Sequence, residues 1–259
     1  MTDIDHRSGR LQHHNSSLQL TSRRHHDVPM TNVYQRFHRG LELIHEVLRR
    51  NVRHIHGRTD AGVLRDPAGF ARYVHTYLRF LTYHHAGEDH FIFPAIRAES
   101  AGRSSDLVVL ERLEREHRDL VGLMDEIAAE LPALARGDEA ARRAVAALSL
   151  SIRVMLDAHL GAEEASLIPA HLATLVSEAG LEKPFAAMQA RDEREGGAAV
   201  LLLLMHSLTA TERRELLGEL PWFVRKVLVP GPFRWAHPAI VRHVPAPAPT
   251  RAPRDLVTT

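Results

Sequence analysis

The sequence predicts an all-α protein: an up-down-up-down four-helix bundle with additional C-terminal helices. Three observations predict it. Four long segments carry apolar residues at helical spacing. Short stretches built on Gly, Asp and Pro separate them, which suits antiparallel neighbours. The second half of this region also repeats the first, so each half reads as a helical hairpin.

Composition excludes several function classes. The chain has 259 residues and a formal charge of +1, so no bulk charge favours nucleic acid or a membrane surface. It has no cysteine, which excludes disulfides, iron–sulfur clusters and thiolate metal sites. There is no basic-then-apolar signal pattern at the start. The longest apolar run, Ala198 to Met205, is too short to span a bilayer. A cytoplasmic protein with no membrane or nucleic-acid partner is the expectation. Histidine is the anomaly, at 19 residues.

Residues 1–30 are polar and lack a sustained period, so a disordered tail is expected. The bundle spans 31–178. Its first helix starts after Thr31 or Asn32 as N-cap and runs to about His54, with Gly57 to Asp66 as a loop. Asp66-Pro67 is a cap followed by a first-turn proline and opens the second helix, to about Ala98. Its apolar face reads Phe70, Val74, Tyr77, Leu81, His84, Glu88, Phe91, Ala95, and Pro94 should bend or end it. The third helix, from Asp106 to about Leu134, carries Leu110, Leu113, His117, Leu120, Met124, Ile127 and Leu131 in one seam. Gly137-Asp138 breaks the chain and caps a fourth helix, to about Ile168. Residues 179–232 read as a helical extension packed on the bundle or on a second subunit. Thr209 to Glu212 there is a capping-box match, and Pro221 begins a further short piece. Residues 233–259 read as a Pro-rich tail.

The chemistry lies in a repeat. His84-x3-Glu88-Asp89 and His159-x3-Glu163-Glu164 both end, at matching offsets, in Pro-Ala. Residues four apart stand one turn above each other on a helix. The spacing alone is weak, because His38-x3-Glu42 matches too. The second acid and the proline make the repeat specific, together with lone seam histidines at His38 and His117. Two carboxylates buried without partners would cost several kcal/mol each. Two divalent ions remove that cost, with Glu88 and Glu163 as bridges and His38, His84, His117 and His159 as further ligands. Imidazole with carboxylate suits iron, manganese or zinc. A rival set, Glu42-x2-His45 and Glu114-x2-His117 with Glu88 and Glu163, imitates the ferritin-like pattern. It leaves His84 and His159 unexplained, and Glu114 falls beside the seam.

His38, the two His-x3-Glu-acid-x3-apolar-Pro motifs and Glu116-His117 together resemble the hemerythrin-like, HHE cation-binding family over roughly residues 31–172. The resemblance implies an oxo- or hydroxo-bridged pair of Fe ions, with His38, His84, His117 and His159 terminal and Glu88 and Glu163 bridging. It implies O2, peroxide or NO as the small ligand, or a role in handling iron. The sequence departs from oxygen-carrying hemerythrins: Val121 stands where they have a second histidine on the third helix, and His159-x3-Glu163 replaces a His-x4-Asp pair. It is more similar to the iron-cluster repair and di-iron sensor branch. His85 and His56 are candidates for a fifth imidazole. His45 reads as a core histidine or a donor to the ligands. Tyr77, one heptad or about 10 Å from His84, is too distant to ligate. Without a nucleophile constellation, binding and sensing rank above turnover of peroxide or NO. The C-terminal helices are candidates for a homodimer contact or for reporting the state of the site.

Overall fold

The computed structural model describes residues 32–100, 104–195, 197–217 and 235–247. The expected N-terminal tail, the piece opening at Pro221 and the last twelve residues lie outside them. Among the described residues every regular element is helical: α1 (Val33–Asp60), α2 (Pro67–Gly87), a π-turn (Glu88–Ile92), α3 (Phe93–Glu99), α4 (Ser104–Ala135), α5 (Glu139–Ser166), α6 (Pro169–Leu175), α7 (Glu178–Glu195), α8 (Gly197–Ser207), α9 (Ala210–Leu217) and α10 (Pro238–His243). The four long helices α1, α2, α4 and α5 form the expected bundle.

The caps follow from local chemistry. Asn32 Oδ1 accepts from Gln35 N at 2.9 Å, and Asp66 Oδ1 from Gly69 N at 2.9 Å. The α4–α5 reversal is a Schellman turn: Gly137 N bonds Leu134 O, Asp138 N bonds Ala133 O, and Gly137 takes φ +81°, which glycine adopts without a Cβ clash. Asp138 then caps α5 through Ala140 N and Ala141 N. Thr209 and Glu212 exchange the two bonds of a capping box at the start of α9.

Two boundaries differ from the sequence reading, and both matter for the site. Helix α1 continues six residues past His54, to Asp60. Within the second helix, Pro94 has no N–H and would clash with the carbonyl four residues back, and the ladder there widens into the π-turn, where Phe93 N bonds Glu88 O. The extra residue slips the inward face by one. Ile92 and Ile96 are fully buried, while Phe91 and Ala95, which regular periodicity puts inside, are only half-buried.

The equivalent proline in the second half is handled differently. There α5 ends at Ser166, Ile168 is extended as residues before proline prefer to be, and Pro169 starts α6. The stretch 233–259 is not wholly a tail either: α10 packs on α2 and α8, with Ile240 buried.

The extension completes the bundle. Helix α8 lies against both α1 and α2. A buried polar triad ties them: Tyr73 Oη donates to Asn51 Oδ1 at 2.8 Å, and Asn51 Nδ2 donates to Ser207 Oγ at 2.9 Å and to Val47 O. Arg50 also donates to Ser207 O. Asn51→Ala leaves the Tyr73 and Ser207 hydroxyls buried without their partner. It should lower unfolding free energy by about 2–4 kcal/mol, and Tyr73→Phe by about 1 kcal/mol, in urea titrations. An Asn51→Ala loss below that of Tyr73→Phe would contradict the triad.

Candidate metal centre

One layer of the bundle is polar, and its neighbours on both sides are apolar. Below it lie Leu48, Leu81, Leu120 and Leu156, one from each long helix and all fully buried. Above it lie Leu41 of α1, Ile92 of the π-turn, Leu113 of α4 and Leu167 just past α5. Between them sit His45 of α1, His84 and His85 of α2, Glu88 of the π-turn, His117 of α4, and His159 and Glu163 of α5. Their donor atoms form two groups, each within 4.8 Å: His45, His84, Glu88 and Glu163, and His85, His117 and His159.

Both carboxylates lie between the groups. Glu88 Oε1 is 3.4 Å from His84 Nε2, and its Oε2 is 3.6 Å from His117 Nε2. Glu163 Oε2 is 3.3 Å from His45 Nε2 and 3.8 Å from His159 Nε2. The imidazoles crowd one another: His85 stacks on His117 with centroids 4.1 Å apart, and His45 meets His84 edge-on at 5.0 Å.

A second ring of acids holds the imidazoles from outside. His117 Nδ1 bonds Asp89 Oδ1, His159 Nδ1 bonds Glu116 Oε2, and His45 Nδ1 bonds Glu164 Oε1, each at 2.8 Å. A carboxylate only accepts, so each Nδ1 carries a proton, and each Nε2 turns inward, with a lone pair wherever the ring is neutral. The second acid of each sequence motif thus orients a histidine on another helix. The inward result is that His117 Nε2 and His159 Nε2 face each other at 3.0 Å. Two lone pairs at that distance repel unless a cation or a proton lies within their reach. His45 Nε2, His84 Nε2 and both nitrogens of His85 are buried without a hydrogen-bond partner. Buried polar atoms in native proteins are rarely left so, and a cation answers all of them together.

Electrostatics agree. Burial pushes His84 and His85 well below the ordinary histidine value, and the other imidazoles push the same way. Burial also lowers His159. His45 runs opposite: burial pulls it down, but Glu163 and Glu164 outweigh burial and raise it. Glu163 is held low by His45 and its neighbours against the effect of burial. Glu164 is held at about 2, again against burial, by His45 and Arg49.

Five of the six residues expected from sequence lie in the layer. His38 does not: its Nε2 lies 3.7 Å from Glu42 Oε1 and its side chain is 18% exposed. His45 occupies the place expected for it. The cause is the length of α1. Ending that helix at His54 sets His38 level with His84, whereas the six further residues lower the register by about 9 Å, close to the seven-residue step from His38 to His45. The signal for His45 was its place in the apolar series Leu41, His45, Leu48, Val52.

His85 also joins the layer. Helix α2 faces α1 on one side and α4 on the other, so two successive residues 100° apart both point inward, His84 to α1 and His85 to α4. His56 stays outside, its Nδ1 against Ala146 O, and Val121 is exposed. The ferritin-like set is not assembled, since Glu114 pairs with Arg97 at 2.6 Å and Glu42 is 43% exposed beside Arg39.

A four-helix bundle with imidazoles and carboxylates converging in one dry layer defines a metal-binding bundle protein. Residues 31–170, more than half of the chain, match the hemerythrin HHE cation binding domain, and the chain belongs to that family. No curated protein and no solved structure gives a significant match.

The lowered histidines set a pH dependence in the metal-free protein. Below about pH 6.5 the unfolded chain binds protons that folded His84, His85 and His159 refuse. Each therefore removes up to about 1.4 kcal/mol of stability per pH unit of acidification. The stabilisation from His45, whose folded value is raised, is complete below about 6.5 and is lost only as pH rises through the higher folded value, so it adds no opposing slope below about 6.5. Denaturant titrations of the metal-free chain should show stability falling from pH 7 to pH 5. A rise over that window would contradict neutral buried imidazoles.

Proposed function

We propose that the layer holds two iron ions and that the protein binds or senses O2, peroxide or NO through them. The observation that carries this reading is the convergence of five Nε2-presenting or unpartnered imidazoles on two carboxylates, each set between two donor groups. On this reading Glu88 and Glu163 bridge the ions, His85, His117 and His159 hold one, and His45 and His84 hold the other. Imidazole with carboxylate is a donor set that suits iron. When bound, an iron pair supplies a redox-active centre with affinity for small oxygen and nitrogen ligands.

The fifth imidazole changes the expectation drawn from Val121. The histidine missing on the third helix is matched by one on the second, so the donor count does not argue against reversible ligand binding.

The test is anaerobic purification, metal analysis and an optical spectrum on exposure to each gas. About two irons per chain and a charge-transfer band that changes with the ligand are expected. Less than about half an iron per chain after reconstitution would sink the reading. His45→Ala and His84→Ala should each lower iron content to about one per chain, whereas His38→Ala should leave two. Sustained catalytic consumption of peroxide or NO would replace sensing with enzymatic turnover.

A further inference from the structure

Helix α7 lies beyond the family-matched residues, yet it grips the segment that carries three of the seven donors. Arg191 Nη2 donates to Tyr83 O at 2.6 Å, on the residue just before His84. The same guanidinium lies 5.4 Å over the ring of Phe91, three residues after Glu88. One arginine therefore spans both ends of the stretch His84 to Glu88. Between those ends, Met188 packs so closely on Gly87 that a Cβ there would stand 2.8 Å from its sulfur.

This stretch needs an outside hold more than the other helices do. The regular ladder stops at Glu88, where the π-turn begins, and Pro94 supplies no N–H beyond it. Glu88 thus sits at the junction, its N–H shared between His84 O and His85 O and its carbonyl taking Phe93 N five residues on. A carbonyl has two lone pairs, so Tyr83 O can take Arg191 without giving up its helical bond. The matching stretch of α5 runs as regular helix to Ser166. Among the described residues, the grip falls on the half whose helix is irregular. The first half of α7 has its own attachments to α1, through Arg36–Glu182 at 2.6 Å and Phe37–Phe185 at 5.5 Å.

We infer that Arg191 and Met188 are positioning residues for the metal centre: docking of α7 sets the turn that aims His84, His85 and Glu88. The inference rests on the di-iron reading. Linkage makes it reciprocal, so iron binding must tighten α7 by the same factor that α7 tightens iron. Helix α7 is then the element through which the state of the centre reaches the surface.

The test uses the full chain. Fe(II) is titrated anaerobically into the wild type, Arg191→Ala and Arg191→Lys, and amide exchange of residues 183–191 is followed with and without iron. Arg191→Ala should bind iron about tenfold more weakly, in the range of lost outer-shell contacts, with stoichiometry restored at high iron. Iron should slow exchange in α7 of the wild type and not of Arg191→Ala. Arg191→Lys, which keeps a donor and a cation over Phe91, should recover part of both effects. Wild-type affinity in Arg191→Ala, or α7 exchange indifferent to iron in the wild type, overturns the inference while leaving the iron site standing. A wild type that takes up no iron overturns the di-iron reading itself. Should Arg191→Ala fail to fold by circular dichroism, Met188→Ala carries the same expectations through the Gly87 contact.

Discussion

The structure depends on five imidazoles and two carboxylates sharing one dry layer. Apolar layers on both sides deny these groups water, and removing an ion from water into such surroundings costs several kcal/mol. The layer is tolerable only if every helix delivers its donor at one height. Heights are set far away, by where α1 ends and by the tight turn that joins α4 to α5. A bundle held only by leucine seams could slide by a turn at modest cost. With Asp89 on His117, Glu116 on His159 and Glu164 on His45, a slide would break hydrogen bonds on all four helices together. The acids outside the layer therefore fix both the imidazole tautomers and the register.

The two hairpins follow an approximate twofold relation, and its failures are informative. Leu41 and Leu113, Ile92 and Leu167, and Glu88 and Glu163 occupy matching heights. Asp89 and Glu164 make matching cross-helix bonds. The relation fails at His85, whose counterpart is Leu160, and at the prolines, where one half keeps a continuous helix through a π-turn and the other breaks. Both failures give the first hairpin the extra imidazole and the softer backbone. It is also the hairpin that α7, α8 and α10 cover.

Much of this was legible in the sequence, for physical reasons that also mark its limit. The seam of α4 was readable because helical period and burial coincide from Leu110 to Leu131. His84, Glu88, His117, His159 and Glu163 were readable because a buried polar residue in such a seam is costly and needs a reason. His38 and His45 stand on one face of one helix, and periodicity reports the face, not the height. Choosing between them required the end of α1, for which the sequence offers two glycines: the helix runs through Gly57 and stops before Gly62, which takes φ +92°. His85 stood only as a candidate, beside His56, because of a related simplification in which a helix has one inward direction. A helix with two bundle neighbours has a sector wide enough for consecutive residues. The slip from Phe91 to Ile92 followed from Pro94, whose effect on the ladder was foreseeable in kind but not in form.

The charge balance of the layer explains why His45 alone is raised. Without a cation, two inner and three outer carboxylates surround the imidazoles, of which burial lowers His84, His85 and His159, while Arg49 and Arg112 reach this ring through Glu164 and Glu116. Negative charge is then in excess where the dielectric is low, and a proton goes where it is best shared. That place is His45, which lies 3.3 Å from Glu163 on one side and 2.8 Å from Glu164 on the other. A divalent cation bound among these groups would compete with that proton, because each lowers the same excess of negative charge.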